Sequence, residues 1–337
     1  MKRLFFAIAL VAVSCLSLSA CATDSKKESS SESMSDCATD SQSDSSSKPE
    51  APERQGWGDD FPLYGDVESV VVTEYNLEEK CGEVVRGDVE VCRKYYFNKA
   101  GDVIEYADYN SDGSLDGKSI YKYDASGNKI EWAYYESDGS LGSKCIFKYD
   151  ASGNKIEDAY YCSDGSLREK FIYKYDSSGN MIEWAWYNSD GSLRDNKETY
   201  KYDSSGNMIE WARYLPDGSL WDKCIRKYDA SGNNIEDAWY YPDGSLSGKY
   251  ICKYDASGNK IEAASCESDG SLGVRETWKY DALGNEIESA YYGSDGSLYN
   301  KHTYKYDASG NIIEETIYLG EALIPNYQTV YEITCRK

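Results

Sequence analysis

Residues 121–141 read YKYDASGNKIEWAYYESDGSL, and this stretch decides the fold because it recurs. Taking its aspartate as position 0, the motif returns at Asp124, Asp150, Asp176, Asp203, Asp229, Asp255, Asp281 and Asp307, with Asn98 opening a degenerate first copy. The spacing is 26 residues except for 27 between Asp176 and Asp203, the extra residue falling between Ser192 and Tyr202. A second marker, Asp-Gly-Ser-Leu, runs in step from Asp112 to Asp295 and fades in the last copy at Gly320-Glu321. A fixed period of this length is the mark of a repeat architecture, in which each unit buries its surface against its neighbours.

Each copy holds two turn signals separated by short runs rich in Tyr, Ile and Trp, the pattern of β-hairpins. In Asp124-Ala125-Ser126-Gly127-Asn128, Asp suits the first position of a type I turn and Gly the left-handed position that closes a three-residue loop. Glu136-Ser137-Asp138-Gly139-Ser140 supports the same geometry. Loops of this length pair position 0 with +4 and +12 with +16, which sets register and faces. One face then collects Leu141, Tyr123, Tyr121, Ala133 and Tyr135; the other collects Ile130, Lys122, Ile120, Trp132 and Tyr134. Leu at +17 never varies from Leu115 to Leu298, Ala at +9 gives way only to Thr316, and Tyr at +11 only to Cys266, whereas +8 and +10 vary freely. Recurrence assigns the Leu/Tyr/Ala face to the core, with Glu131 and its equivalents sharing it opposite Tyr121 and its equivalents. The expected fold is all-β: an elongated antiparallel β-hairpin array of nine copies, a single sheet coiled into a spiral, tube or open ribbon.

The motif Tyr121-Lys122-Tyr123-Asp124-Ala125-Ser126-Gly127-Asn128 resembles the YD repeat of RHS-type proteins across all nine copies. That resemblance implies a strand-turn-strand unit in a continuous antiparallel sheet. The period is longer than the usual YD unit and no toxin-like or self-cleaving domain follows Leu323, so a shell-and-cargo function is not implied. Ala238-Trp239-Tyr240-Tyr241-Pro242-Asp243-Gly244-Ser245 has a weaker similarity to choline-binding cell-wall repeats.

The N-terminus carries an address. Lys2 and Arg3 precede an apolar run from Leu4 to Val13, too short to span a bilayer and ordered as in a secretory signal. Leu18-Ser19-Ala20-Cys21 looks like a bacterial lipobox, which implies cleavage before Cys21 and its lipidation. Residues 1–20 are thus read as a lipoprotein signal peptide and 21–56 as a disordered Ser/acidic tether with a mean reach of about 30–35 Å. Residues 57–97 form an N-terminal β cap, 98–324 the YD-like hairpin repeats and 325–337 a C-terminal capping strand. The expected location is the cell envelope, lipid-anchored, at the outer membrane or cell surface of a Gram-negative host.

Composition narrows the function. The 337 residues carry 59 Asp and Glu against 36 Lys and Arg, a formal net charge of −23, which argues against a nucleic-acid partner. The single histidine, His302, leaves any Ser-His or Cys-His mechanism with one candidate base. In the cap, a two-residue loop at Arg86-Gly87 would pair Cys81 with Cys92 and make a cross-strand disulfide available. Cys145, Cys162, Cys224, Cys252 and Cys266 show no metal-ligand spacing and read as small hydrophobes. The Asp-rich loops read as turn chemistry rather than calcium sites. Trp132, Trp184, Trp186, Trp211 and Trp239, at +8 or +10, are expected on the outer face, where they either stack on a ligand or pack on their own sheet. The expected function is non-enzymatic binding or a structural role with a glycan or protein ligand and no cofactor. The alternative is a carbohydrate-active hydrolase using a carboxylate pair on the array.

Overall fold

The computed structural model describes residues 54–55 and 63–336, with 321 excepted. The signal, Cys21 and the tether as far as residue 53 lie outside the described residues, while Arg54–Gln55, at the end of the segment read as disordered, form a short strand. β1 (Arg54–Gln55) and β2 (Leu63–Tyr64) pair with each other, and β3 (Val67–Lys80) and β4 (Glu83–Phe97) form a long hairpin. The repeats supply β5 (Val103–Tyr109), β6 (Leu115–Tyr123), β7 (Lys129–Glu136), β8 (Leu141–Tyr149), β9 (Lys155–Cys162), β10 (Leu167–Tyr175), β11 (Met181–Asn188) and β12 (Leu193–Tyr202). They continue with β13 (Met208–Tyr214), β14 (Leu220–Tyr228), β15 (Asn234–Tyr240), β16 (Leu246–Tyr254), β17 (Lys260–Glu267), β18 (Leu272–Tyr280), β19 (Glu286–Tyr292), β20 (Leu298–Tyr306) and β21 (Ile312–Leu319). β22 (Ile324–Cys335) is last.

Every strand from β3 to β22 pairs antiparallel with its neighbours in chain order, and β22 then pairs with β3 from Tyr327 opposite Asn76 to Cys335 opposite Val67. The twenty strands form a closed barrel. This corrects the expected elongated array: the sheet is not an open spiral or ribbon, and the two segments read as caps at opposite ends meet and complete the ring. Their junction is apolar. Leu63, Val67, Val70, Val72, Phe97, Ile312 and Tyr331 are buried together there, with Tyr304, Tyr306 and Ile333 packed against them. Closure abolishes both free sheet edges along the seam, and each buried aliphatic side chain contributes about 1.5–3 kcal/mol of transfer free energy. Arg336 latches the junction: its amide donates to the Asp66 carbonyl at 2.8 Å and its guanidinium reaches the Asp66 carboxylate and the carbonyls of Phe97 and Asn98.

The turns form as their residues dictate. The Asp124 amide donates to the Asn128 carbonyl at 2.9 Å, Gly127 sits at φ 84°, and the Asp124 carboxylate accepts from the amides of Ser126 and Asn128 and from the Asn128 side chain. Beyond the turn the register departs from simple alternation. Tyr123 faces Lys129 but Lys122 faces Glu131, so Ile130 has no partner, and Gly142 is skipped in the same way on the next hairpin. Each bulge moves every residue beyond it to the opposite face. Tyr121 therefore lies opposite Trp132, not Glu131, and Tyr121, Tyr123, Trp132, Tyr134 and Cys145 share one face. Lys122, Glu131, Ala133, Tyr135 and Leu141 share the other.

The first of these faces points inward. Tyr121, Tyr173, Tyr200 and Tyr304 on it are held above the ordinary phenol range by burial, and Cys145 and Ala263 are 0% exposed. The other face is a charged ladder: Glu131 is gripped by Lys122 at 2.7 Å and Lys144 at 3.3 Å, and the same arrangement recurs at Glu183, Glu236 and Glu288. Ala133 is buried as expected, but on this outward face, flanked by Ile120 and Lys144. Apart from the constant inward tyrosine at −1, which runs from Tyr123 to Tyr306, the recurring residues are outside and the varying ones inside, the reverse of the expected core. In a membrane barrel an outward lysine costs about 2–4 kcal/mol at mid-bilayer. Ile130→Lys should change the unfolding free energy by less than about 0.5 kcal/mol, whereas Tyr121→Lys should cost about 2–3 kcal/mol by placing an ammonium inside. The opposite ranking in urea unfolding would mean the faces are reversed.

Candidate functional site

Twenty strands about 4.8 Å apart give a circumference of at least about 96 Å, too wide for one layer of side chains to fill if drawn as a circle. The inward face is built from the columns at +5, +8 and +10 and from −1, −3, −5 and −7. All five tryptophans singled out in the sequence stand on it, facing in rather than out as expected. Trp132, Trp184 and Trp186 are joined by two residues that the periodicity did not single out. Tyr160 meets Trp132 edge-on at 6.4 Å and Phe171 at 5.7 Å, and Phe171 stacks on Trp184 at 5.5 Å and on Trp186 at 5.3 Å. The aromatic run crosses the strands from β7 to β11.

Trp211 and Trp239 are placed apart from this run. The Trp211 indole donates to Glu198 at 2.9 Å with Arg213 over its ring, and Trp239 lies opposite Cys224 and Gly248.

Two carboxylates border the aromatic run. Glu169, 7% exposed, accepts from Arg168 at 2.8 Å, from Arg194 at 2.5 Å and from the Trp186 indole at 3.2 Å, while Arg194 lies 4.4 Å over that indole. Asp158, 4% exposed, accepts through one oxygen from Lys155 at 2.9 Å and Tyr173 at 2.6 Å; its other oxygen is buried without a partner among the described residues. Unsatisfied buried carboxylate oxygens are costly, so this one marks a site under constraint. A similar group sits on β14 and β15, where Asp237 accepts from Asn234 at 2.7 Å and forms an ion pair with Arg226 at 3.4 Å, and the Asn234 side-chain oxygen is buried without a hydrogen-bond partner among the described residues. Both aspartates stand at +8, the column that carries tryptophan in three other copies.

The single histidine also faces inward. His302 Nδ1 lies 2.7 Å from Glu315, and Ser289 is directly across the ladder from His302. The Ser289 hydroxyl, however, is 3.3 Å from the Tyr304 hydroxyl and makes no hydrogen bond to the imidazole among those described. Nearby, burial holds the Glu286 carboxyl above the ordinary carboxylate range, and burial does the same for Glu276.

The cysteine pairing is corrected. The two-residue loop is Cys81-Gly82, both at positive φ as a type I′ turn requires, while Arg86-Gly87 lies within β4. Cys92 faces Thr73, seven residues from the Lys80–Glu83 rung, which places it more than 20 Å from the tip at about 3.3 Å per residue, beyond any disulfide. All the described cysteines are free, and burial pushes the Cys145 thiol up to about 12. Cys21 lies outside the described residues.

No family model matches the chain, and no curated protein does. Among solved structures, TcdB2-TccC3 aligns at 16% identity over 69% of this chain with a TM-score of 0.34; the chain spans 15% of that protein. A porin-like protein from Bacteroides uniformis aligns at 9% identity over 80% of this chain and 98% of its own, with a TM-score of 0.35, and one from Bacteroides vulgatus at 12% over 80% and 99%, with 0.27. Superpositions this loose bear on neither activity nor partners.

Two outcomes check the site. A maleimide should label exposed Cys81 in the native chain and leave Cys145 unmodified until denaturation, which mass mapping would resolve. A carboxyl raised on folding binds a proton that the unfolded chain has already released, so stability falls as pH climbs from the ordinary carboxylate value through the raised one. Glu286→Gln should therefore raise the melting temperature at neutral pH and show no gain below about pH 4, the ordinary Glu value.

Proposed function

We propose that the chain is an exported, lipid-anchored binding protein of the cell envelope whose inward aromatic run holds an extended glycan or protein segment. The carrying observation is the division between the two faces: the outward ladder repeats from copy to copy, whereas the inward columns at +5, +8, +10, −3, −5 and −7 vary between copies and only the inward tyrosine at −1 stays constant from Tyr123 to Tyr306. A barrel wall selected only to stand could repeat on both faces. Variation confined to the inside points to selection for something that the inside touches. The aromatic run offers apolar and polarisable surface, and the ion-paired Glu169 and Asp158 beside it are fixed acceptors for hydroxyl or amide donors. The charged outward ladder fits a barrel standing in water, with the membrane reached through lipid on Cys21.

The hydrolase reading finds its acid candidates elsewhere. Glu169 and Asp158 are each ion-paired, while burial raises the inward carboxyls of Glu276 and Glu286 above the ordinary carboxylate range. Glycan arrays and pull-downs with Trp184→Phe/Trp186→Phe and Trp132→Phe should show graded losses, on the order of 5- to 50-fold for the double variant if each ring contributes about 1 kcal/mol of contact. Binding unchanged in these folded variants would overturn the proposal. Release of reducing ends abolished by one carboxylate substitution would establish the hydrolase instead.

A further inference from the structure

The β3–β4 hairpin is longer than the wall it belongs to. β5 pairs with β4 only from Cys92 onward, and β22 pairs with β3 only as far as Asn76, so the residues between extend past the rim that carries the Asp-Gly-Ser turns. The outer edge of β4 from Glu83 to Val91 has no strand beside it among the described residues, and Val84 there is 51% exposed. In a molecule that elsewhere closes its sheet, this is a bare row of backbone donors and acceptors, a template for another strand.

The sequence of that edge is complementary to itself. Read as Glu83-Val84-Val85-Arg86-Gly87-Asp88-Val89-Glu90-Val91, it can pair antiparallel with its own copy about Gly87. Arg86, which within one copy donates to Gln328 and lies 3.7 Å from Glu314, turns from them in this pairing to lie opposite Asp88 of the second copy, twice by symmetry, with Val85 opposite Val89. The register against β3 slips between Val89 and Val91 and again between Arg86 and Val89, each time leaving an extra residue on β4. These bulges bend β4 locally and increase its twist around Gly87. A Cβ on Gly87 would fall 2.6 Å from the Glu78 carboxylate, so the Glu78 side chain lies over this glycine and must turn aside where the two copies meet. The free stretch runs from the chain's own turn at Cys81-Gly82 to the start of the β5 pairing, which is the length the second copy would occupy.

We propose that two copies of this chain associate through the β4 edge, isologously, about Gly87. The surface is small and the association correspondingly weak in solution; lipid anchoring would raise the effective concentration of the partners. The test is sedimentation velocity on the full chain carrying Cys21→Ser, under reducing conditions and at rising concentration. The wild-type edge should show a reversible monomer–dimer equilibrium. Asp88→Arg, which sets arginine against arginine twice, should weaken it by about tenfold or more. Arg86→Asp/Asp88→Arg restores opposite charges and should recover most of it, whereas Asp138→Arg in an exposed turn should change nothing. Circular dichroism would establish that each variant folds. A chain monomeric into the millimolar range, or a dimer indifferent to Asp88→Arg, overturns the proposal, as does a swap that fails to recover association while folded.

Discussion

One unpaired residue on each side of a strand decides what the interior of this barrel contains. Side chains alternate across a sheet with a period of two, so a strand of nine residues has only two choices of face, and a single bulge exchanges them. Ile130 and its equivalents at +6 supply that exchange beside one turn, and Gly142 and its equivalents supply it beside the other. Between the two bulges the tyrosine at −3 turns inward to meet the residue at +8, and the lysine at −2 turns outward to meet the glutamate at +7. Without them Glu131 would stand across from Tyr121, and each copy would bring one carboxylate to the packed side. With them the glutamates lie between lysines in solvent-accessible ion pairs. Each such pair is weak, but none leaves a charge to be desolvated.

The ring depends on its seam in a different way. The repeats are similar enough to pair with one another in any number, and nothing in a single hairpin states where the sheet should stop. The terminal segments do so through side chains that the repeats lack. Val67, Val70 and Val72 on β3 and Tyr331 on β22 bring aliphatic and aromatic bulk to the inward face, and Leu63 adds to it from outside the ring. The Asn311 side chain accepts from the Tyr64 amide at 2.5 Å, so the last repeat turn also holds the chain that enters there.

Much of this was legible beforehand. The period, the strand-turn-strand unit and the three-residue loops follow from local chemistry that acts within a few residues, and the turn at Asp124-Asn128 forms as its residues predict. The register did not follow, because a bulge at Ile130 leaves no compositional trace: isoleucine is an ordinary strand residue. Recurrence then misled, since it was taken to mean burial when it records an identical environment. The outward ladder is that environment, equal at every copy. Closure was illegible because it is a long-range agreement between Val67–Asn76 and Tyr327–Cys335. The site was half legible. The five tryptophans were found by type, but Tyr160, Phe171, Asp158 and Glu169 belong to columns whose direction depends on the bulges. His302 stood out only for being single.

The seam has a consequence for how such a chain can change over time. A run of nearly identical units invites unequal recombination, and an open solenoid can gain or lose a unit at either end with little effect on the rest. Here the first and last strands must find each other, so any change in copy number is a change in circumference and alters the curvature felt by every strand. The inward aromatics of β7 to β11 touch across that curvature. Length, diameter and binding surface are consequently inherited together, and diversification is channelled into substitution at single inward positions rather than into adding or deleting hairpins.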